Sequence, residues 1–217
     1  MGIAVCLLRR AVRKLYPGFA YRSPPQSGFS GERLYAWLDT VWHRRHIDGN
    51  IVEVGCNACG TSLLTFQLLK RAGCFRRYIC IDTFAGFVGD QFDHDVQHGL
   101  DRKFRWAFAF NTVDFIRKWL PKYGASEIEL VQGDIVNMPD DLLPSTIVAC
   151  LMDVDLEIPI YAGLKRIYPR LVRGGAILVD DCDETSQWGA KRGYLRFLKE
   201  TGLPQKLFLG MGLIEKP

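Results

Sequence analysis

Two short acidic runs hold the residues best suited to chemistry in this chain: Leu151-Met152-Asp153-Val154-Asp155 and Leu178-Val179-Asp180-Asp181-Cys182-Asp183. Each follows an apolar stretch, so each set of carboxylates emerges where a buried strand ends. Acids gathered beside a core are costly without an opposing charge, and a hard divalent cation with oxygen ligands is the natural one. The pattern points to an active site.

A second feature lies upstream. The run Glu53-Val54-Gly55-Cys56-Asn57-Ala58-Cys59-Gly60-Thr61-Ser62 puts glycines where a backbone must turn sharply and lie close to a ligand. The next apolar run ends at Asp82, in position to accept hydrogen bonds from a ribose diol. A nicotinamide dinucleotide calls for the fuller Gly-x-Gly-x-x-Gly, and there is no Lys-Ser/Thr pair for a phosphate-cradling loop. A nucleoside without phosphates, such as S-adenosylmethionine, suits Asp82 better. Asp134 is placed either to meet an adenine amino group or to cap a turn.

The elements that must position these groups alternate. Strands are expected at 51–54, 78–81, 128–131, 146–152 and 176–179, and helices at 61–70, 112–123, 161–171 and 189–201. Leu64, Leu68 and Leu69 carry the helical spacing of the first helix. Phe115, Ile116 and Trp119 carry that of the second, and Tyr194, Leu195 and Leu198 that of the last. Thr146 to Met152 is almost continuously apolar, as in a strand buried on both faces of a parallel sheet. Residues 206–209 and 213–215 read as a closing hairpin around Gly210-Met211-Gly212. The alternation predicts an α/β fold, a doubly wound, mostly parallel Rossmann-like sheet with an antiparallel edge strand, and it places ligands at the carboxyl ends of the strands.

Composition sets the outer bounds. A chain of 217 residues, 48% hydrophobic and 24% charged, fits one domain over residues 31–217 after an N-terminal helix and loop at 1–30. A formal charge of +4 is too small to imply nucleic acid. Seven cysteines, mostly inside apolar runs, read as reduced thiols of a cytoplasmic protein. Cys56 and Cys59 form a Cys-x-x-Cys with no second pair to complete a zinc site. Met1 to Leu8 is apolar and Arg9 to Lys14 basic, the reverse of a signal peptide and too short to span a membrane. That segment fits a helix packed on the domain or on a second subunit, or one that touches an anionic membrane surface. Ser23 to Gly28 reads as a loop.

Residues 84–111 carry no clear period, and an insertion of that length in a compact domain suits a lid over a bound ligand. Asp93, His94, Asp95 and His98 lie in it and offer a base, a further metal ligand or a polar surface. Phe104, Trp106, Phe108 and Phe110 offer core packing or an apolar wall for a ligand, and Trp188 a pocket border.

Asp153-Val-Asp155-Leu-Glu-Ile-Pro159, then Leu164, Tyr168-Pro-Arg170-Leu, Gly174-Gly175, Val179-Asp180-Asp181 and Gly189-Ala190, resemble the signature of the macrocin O-methyltransferase family. Glu53-Val-Gly55 and Asp82-Thr-Phe84-Ala-Gly86 fit the cofactor half of the same family, and the likeness spans about residues 30 to 203. The resemblance implies a class I methyltransferase that moves the methyl group of S-adenosylmethionine to a hydroxyl of a sugar or related small molecule, assisted by magnesium. It implies a cofactor site of Glu53, Gly55, Cys56, Asn57, Gly60, Thr61, Ser62, Asp82, Thr83, Phe84, Asp134, Ile135 and Asp153. It implies metal ligands Asp153, Asp180 and Asp181, with Asp155 held apart as the general base. A homodimer is also in keeping with it. Glu157 stands where the family usually has Tyr, Ile160 where it has Thr, and Cys56 to Cys59 where the loop is usually basic and aromatic. These departures bear on the acceptor more than on the reaction. A catechol-type phenol methyltransferase, or a cofactor-binding or partner subunit without catalysis, are the competing readings.

Overall fold

The strands that the alternation predicts assemble into one sheet. The structure is a computed structural model that describes residues 3–15 and 27–217. Its seven strands are β1 (Asn50–Val54), β2 (Tyr78–Asp82), β3 (Ile128–Gln132), β4 (Ile147–Met152), β5 (Leu171–Val179), β6 (Leu207–Phe208) and β7 (Met211–Glu215). They lie in the order β3-β2-β1-β4-β5-β7-β6. The first five run parallel, β7 pairs antiparallel with β5, and β6 and β7 form a hairpin. Every residue of β4 is buried, as its unbroken apolar run requires. The strand order reverses between β1 and β4, the place where such sheets hold ligands.

The described helices are α1 (Ile3–Leu15), α2 (Gly31–His43), α3 (Gly60–Arg71), α4 (Gly89–Gln97), α5 (Val113–Trp119), α6 (Glu157–Ile167) and α7 (Ala190–Thr201). Trp37 and Val41 of α2, Leu63 and Phe66 of α3 and Ile116 and Trp119 of α5 pack on one face of the sheet. Ile160 and Leu164 of α6 and Tyr194 and Phe197 of α7 pack on the other. The expected doubly wound sheet with an antiparallel edge is therefore present.

Several boundaries differ, each for a local reason. Helix α6 begins at Glu157 rather than 161, because Pro159 in the first turn has no intrahelical N–H to lose. A single 3-10 turn at Tyr168–Arg170 ends it, and β5 starts at Leu171, five residues before the expected 176. Helix α5 stops at Trp119 and tightens into a 3-10 turn, Leu120–Tyr123, containing Pro121. Leu64 and Leu195 face outward, 40% and 37% exposed, while Phe66 and Phe197 hold the buried faces instead. Helix α2 has no counterpart in the sequence reading. Its Ser30 side chain accepts from the Arg33 N–H, and Ala36, Trp37, Thr40 and Val41 form its buried stripe. Helix α1 occupies the expected N-terminal position, whereas residues 23–26 of the expected loop lie outside the described residues.

Candidate active site

Backbone hydrogen bonds set the ends of the five parallel strands side by side. The Gly133 N–H donates to the Asp82 carbonyl at 2.9 Å, Gly55 to Ile81 at 2.8 Å, Asp153 to Val54 at 2.8 Å and Asp180 to Met152 at 2.9 Å. Asp82, Gly55, Asp153 and Asp180 therefore line one edge of the sheet, at the mouth of a cavity of about 320 Å³. Gly55 is required there. Its φ is +89°, and a Cβ on it would sit 1.8 Å from the Asp153 carbonyl oxygen. Asn57 and Cys59 also take positive φ, at 47° and 56°, so the loop coils tightly before α3 begins.

Eleven of the expected cofactor residues line the cavity: Glu53, Gly55, Cys56, Asn57, Gly60, Thr61, Asp82, Thr83, Asp134, Ile135 and Asp153. Ser62 and Phe84 do not. Ser62 is fully buried in the first turn of α3, and the Phe84 side chain belongs to the core. Phe84 contributes its backbone instead: its N–H and that of Asn57 each donate to one Asp82 carboxylate oxygen at 2.7 Å. Burial raises the Asp82 carboxyl, and these two N–H groups oppose the rise. Glu53 is buried beside Tyr78, whose hydroxyl donates to its Oε2 at 2.9 Å, and burial holds its carboxyl well above the usual range. Asp134 caps a turn, one of the two readings given for it. It caps its own turn through the Val136 N–H, it accepts from Gln91 Nε2 of α4 at 2.8 Å, and it still faces the cavity. Beneath the loop the Cys56 and Cys59 thiols meet a third, Cys80 of β2, with the three sulfurs within 4.8 Å of one another.

The acidic runs converge as expected, with one change of membership. One carboxylate oxygen from each of Asp153, Asp155 and Asp181 lies within 4.8 Å of the others. Strand alternation leaves the direction of Asp155 open; its backbone is left-handed, φ +61°, and its side chain joins Asp153 and Asp181 rather than continuing a strand. Asp181 has the same left-handed turn, φ +55°. Strain of this kind at two acids in one cluster is a mark of a functional constraint. Burial, followed by repulsion from Asp181 and Asp180, pushes the Asp155 carboxyl well above the usual range. Burial and then Asp180 and Asp155 do the same to Asp153. Asp180 is pushed up to about 6, by burial and Asp181 against the pull of Arg33.

Arg33 of α2 is the cation that meets them. Its Nη1 donates to Asp181 Oδ1 at 2.9 Å and to Asp180 Oδ2 at 3.2 Å, and its Nη2 donates to Asp183 Oδ2 at 2.7 Å. One guanidinium faces five carboxyl groups, too little positive charge for all of them to ionise without a further cation. The Asp180 Oδ1 atom is buried and has no hydrogen-bond partner among the described residues. An unmet oxygen beside mutually repelling acids fits a hard divalent cation. Glu184, by contrast, is an exposed acid paired with Lys191.

The far wall of the cavity is aromatic. Phe87, Phe108 and Trp188 line it, Phe108 edge-on to Phe87 at 5.4 Å and Phe104 against Trp188 at 5.2 Å. Trp106 is 39% exposed, so the aromatic run divides between wall and surface.

With cofactor loop, acids and aromatic wall around one cavity, the sequence matches the macrocin-O-methyltransferase (TylF) family over residues 29–208. The chain belongs to that family. It is an O-methyltransferase with the Rossmann-like fold of the S-adenosylmethionine-dependent enzymes. Among solved structures, the O-methyltransferase NovP is 16% identical, with TM-score 0.71, covering 97% of this chain and 98% of that one. The calicheamicin methyltransferase CalS11 is 23% identical, with TM-score 0.66, covering 84% and 78%. The apo form of CalS11, a TDP-rhamnose 3'-O-methyltransferase, is 19% identical with TM-score 0.59, covering 94% of this chain and 86% of that one. No curated protein matches in sequence.

Both departures from the macrocin O-methyltransferase pattern in α6 fall outside the cavity lining. Ile160 is fully buried against Gly193 of α7, where an added Cβ would come within 3.0 Å of it. Glu157 joins a network that fastens the 84–111 insertion. Its carboxylate accepts from Arg192 Nε at 2.8 Å and lies 3.3 Å from His94 Nε2, and its N–H donates to Asp95 Oδ2 at 2.9 Å. Asp95 is fully buried, is also bonded by Arg192, and sits on Gly189, where a Cβ would come 2.4 Å from Oδ2. The insertion therefore holds helix α4 rather than a structureless loop. The His94 and His98 rings meet at a tilt, 4.4 Å apart, beside Glu157, and neither lines the cavity.

Proposed function

We propose that this enzyme transfers the methyl group of S-adenosylmethionine to a hydroxyl of a sugar or related small molecule, assisted by magnesium or another divalent cation. The observation that carries the reading is the shared cavity, lined at once by the glycine loop with Asp82, the strained acidic cluster and the aromatic side chains Phe87, Phe108 and Trp188. The TDP-rhamnose 3'-O-methyltransferase supports the acceptor class by likeness.

In this reading Asp82, already held by two N–H groups, keeps free lone pairs for the ribose hydroxyls. Gly55 lets the cofactor approach the backbone, and Asp134 and Ile135 border the adenine. Asp153, Asp180 and Asp181 hold the cation, which when bound lowers the pKa of an acceptor hydroxyl and makes it nucleophilic at neutral pH. Asp155 takes the hydroxyl proton; its enclosed site raises its basicity, and its left-handed backbone keeps it at the trio. Phe87, Phe108 and Trp188 present flat faces to the apolar side of a sugar ring and keep water from the reacting atoms. Residues 84–111 act as the lid.

The same aromatic wall would also stack a phenol, so the acceptor test must include both. Calorimetric titration with S-adenosylhomocysteine tests the cofactor half, and labelled S-adenosylmethionine with a panel of nucleotide sugars and catechols tests the acceptor. Labelled sugar product is expected. Labelled catechol alone would replace the sugar by a phenol, and absence of S-adenosylhomocysteine binding would remove the reading altogether.

A further inference from the structure

Helix α1 turns its apolar side outward. At 100° per residue, Ile3, Leu7, Ala11, Ala4, Leu15 and Leu8 fall on one arc of about 140°. All six are exposed, Leu7 by 56%, Leu8 by 65% and Leu15 by 70%. Among the described residues nothing covers this arc. Arg10, at its edge, ties the helix to the body, its Nη1 donating to the carbonyls of Asn111 at 3.0 Å and Phe84 at 3.3 Å. These two residues bound the 84–111 insertion, and the Asn111 side chain is bonded to Asn57 of the loop that lines the cavity.

Charge decides what covers the arc. The first acidic residue of the chain is Glu32, so residues 1–31 carry five basic side chains (Arg9, Arg10, Arg13, Lys14 and Arg22) and no acid. Of the 28 basic and 24 acidic residues in the whole, the remainder holds 23 and 24. The entire positive excess of the protein is therefore N-terminal. A second copy of the same helix would bring like charge against like, whereas an anionic lipid surface brings the opposite sign. Lys14 lies on the arc and is exposed, and its long stem lets the ammonium rise out of an apolar layer. With 13 residues, α1 is too short to cross a bilayer, and no described helix is long and apolar enough to do so.

We propose that α1 is an interfacial anchor that lies on an anionic phospholipid surface, with Ile3, Leu7, Leu8 and Leu15 in the boundary between headgroups and acyl chains. Through Arg10 it holds the rim of the cavity beside that surface.

Co-sedimentation of the full chain with vesicles tests this without any methyl transfer, so it stands or falls separately from the reaction. The vesicles are phosphatidylcholine alone, or phosphatidylcholine mixed with phosphatidylglycerol. The chain should pellet with the mixed vesicles, and less so as salt is raised. Leu8→Glu, at a position open to solvent, should weaken that partition by about tenfold or more with unchanged circular dichroism. Lys14→Glu should weaken it in low salt. Equal partition on both vesicle types, or none on either, would overturn the anchor. So would a dimer in solution that Leu8→Glu dissociates while vesicles leave the chain unbound, which would assign the arc to a second copy.

Discussion

Arg33 Nη1 lies 2.9 Å from Asp181 Oδ1, a pairing across 148 positions of sequence. It brings helix α2 down onto the acidic cluster, and burial, which alone would lower the Arg33 pKa, is overridden by Asp180 and Asp181, which raise it. The guanidinium therefore supplies part of the positive charge that the carboxylates need.

Replacing Arg33 by Gln should leave the acids dependent on the cation alone. The side chain is 25% exposed, so the metal-free protein should lose about 1–2 kcal/mol, between the values for surface and buried ion pairs. Added magnesium should then raise the melting temperature more in the variant than in the wild type. Differential scanning fluorimetry with chelator and with magnesium reads both terms.

The raised carboxyls set a pH dependence. An acid whose folded pKa lies above its unfolded value binds more protons in the folded state, so it costs stability as pH rises from the unfolded to the folded pKa. For Asp180 the shift runs from 3.8 to about 6. The metal-free protein should therefore lose stability across that interval, and Asp153 and Asp155 shift in the same direction. Magnesium should stabilise strongly at about pH 8 and little at about pH 5, because protons then occupy the same oxygens. An equal magnesium effect at both would contradict the assignment.

Gly55→Ala places a methyl group 1.8 Å from the Asp153 carbonyl in a backbone with φ +89°. The strand ends must separate, at a cost of at least about 2 kcal/mol from clash and strain together. Denaturant unfolding should show that loss, and calorimetry should show S-adenosylhomocysteine affinity falling with it.

Asp95→Ala removes a fully buried carboxylate that accepts from the Glu157 N–H and pairs with Arg192. A loss of about 2–4 kcal/mol is expected from the groups left unpaired. Trypsin should cut faster at Arg102, Lys103 or Arg105, within the loosened insertion. Glu157 adds a separate dependence. Burial opposes its ionisation, but Arg192 and His94 hold its carboxyl below the usual value, so its stabilising share is present above about pH 4.5 and is lost on acidification through its folded pKa.

The sheet was legible because β1, β2, β4 and β5 are apolar runs that stop at a glycine or an acid, and those stops are the cavity edge. Gly55, Asp82, Asp153, Asp180 and Asp181 could be placed on that account. Helix α2 carries a sequence signal of its own, Ser30 as cap followed by the stripe Ala36, Trp37, Thr40 and Val41. Arg33 carried none, since nothing near residue 33 announces a bond to residue 181. Helix α4 was hidden by its composition: in Gly89–Gln97 the side chains turned inward are Gln91, Phe92 and Asp95, with a single apolar residue among them. The direction of Asp155 was not legible, because strand alternation says nothing about a left-handed residue just beyond a strand.

The central claim is that the acidic cluster works through a divalent cation in O-methyl transfer. The most direct measurement is the initial rate of labelled methyl transfer from S-adenosylmethionine to the best acceptor of the panel, with magnesium and after chelation. The account predicts a fall of about 10²-fold or more on chelation, restored by added magnesium. A rate unchanged by chelation would contradict it.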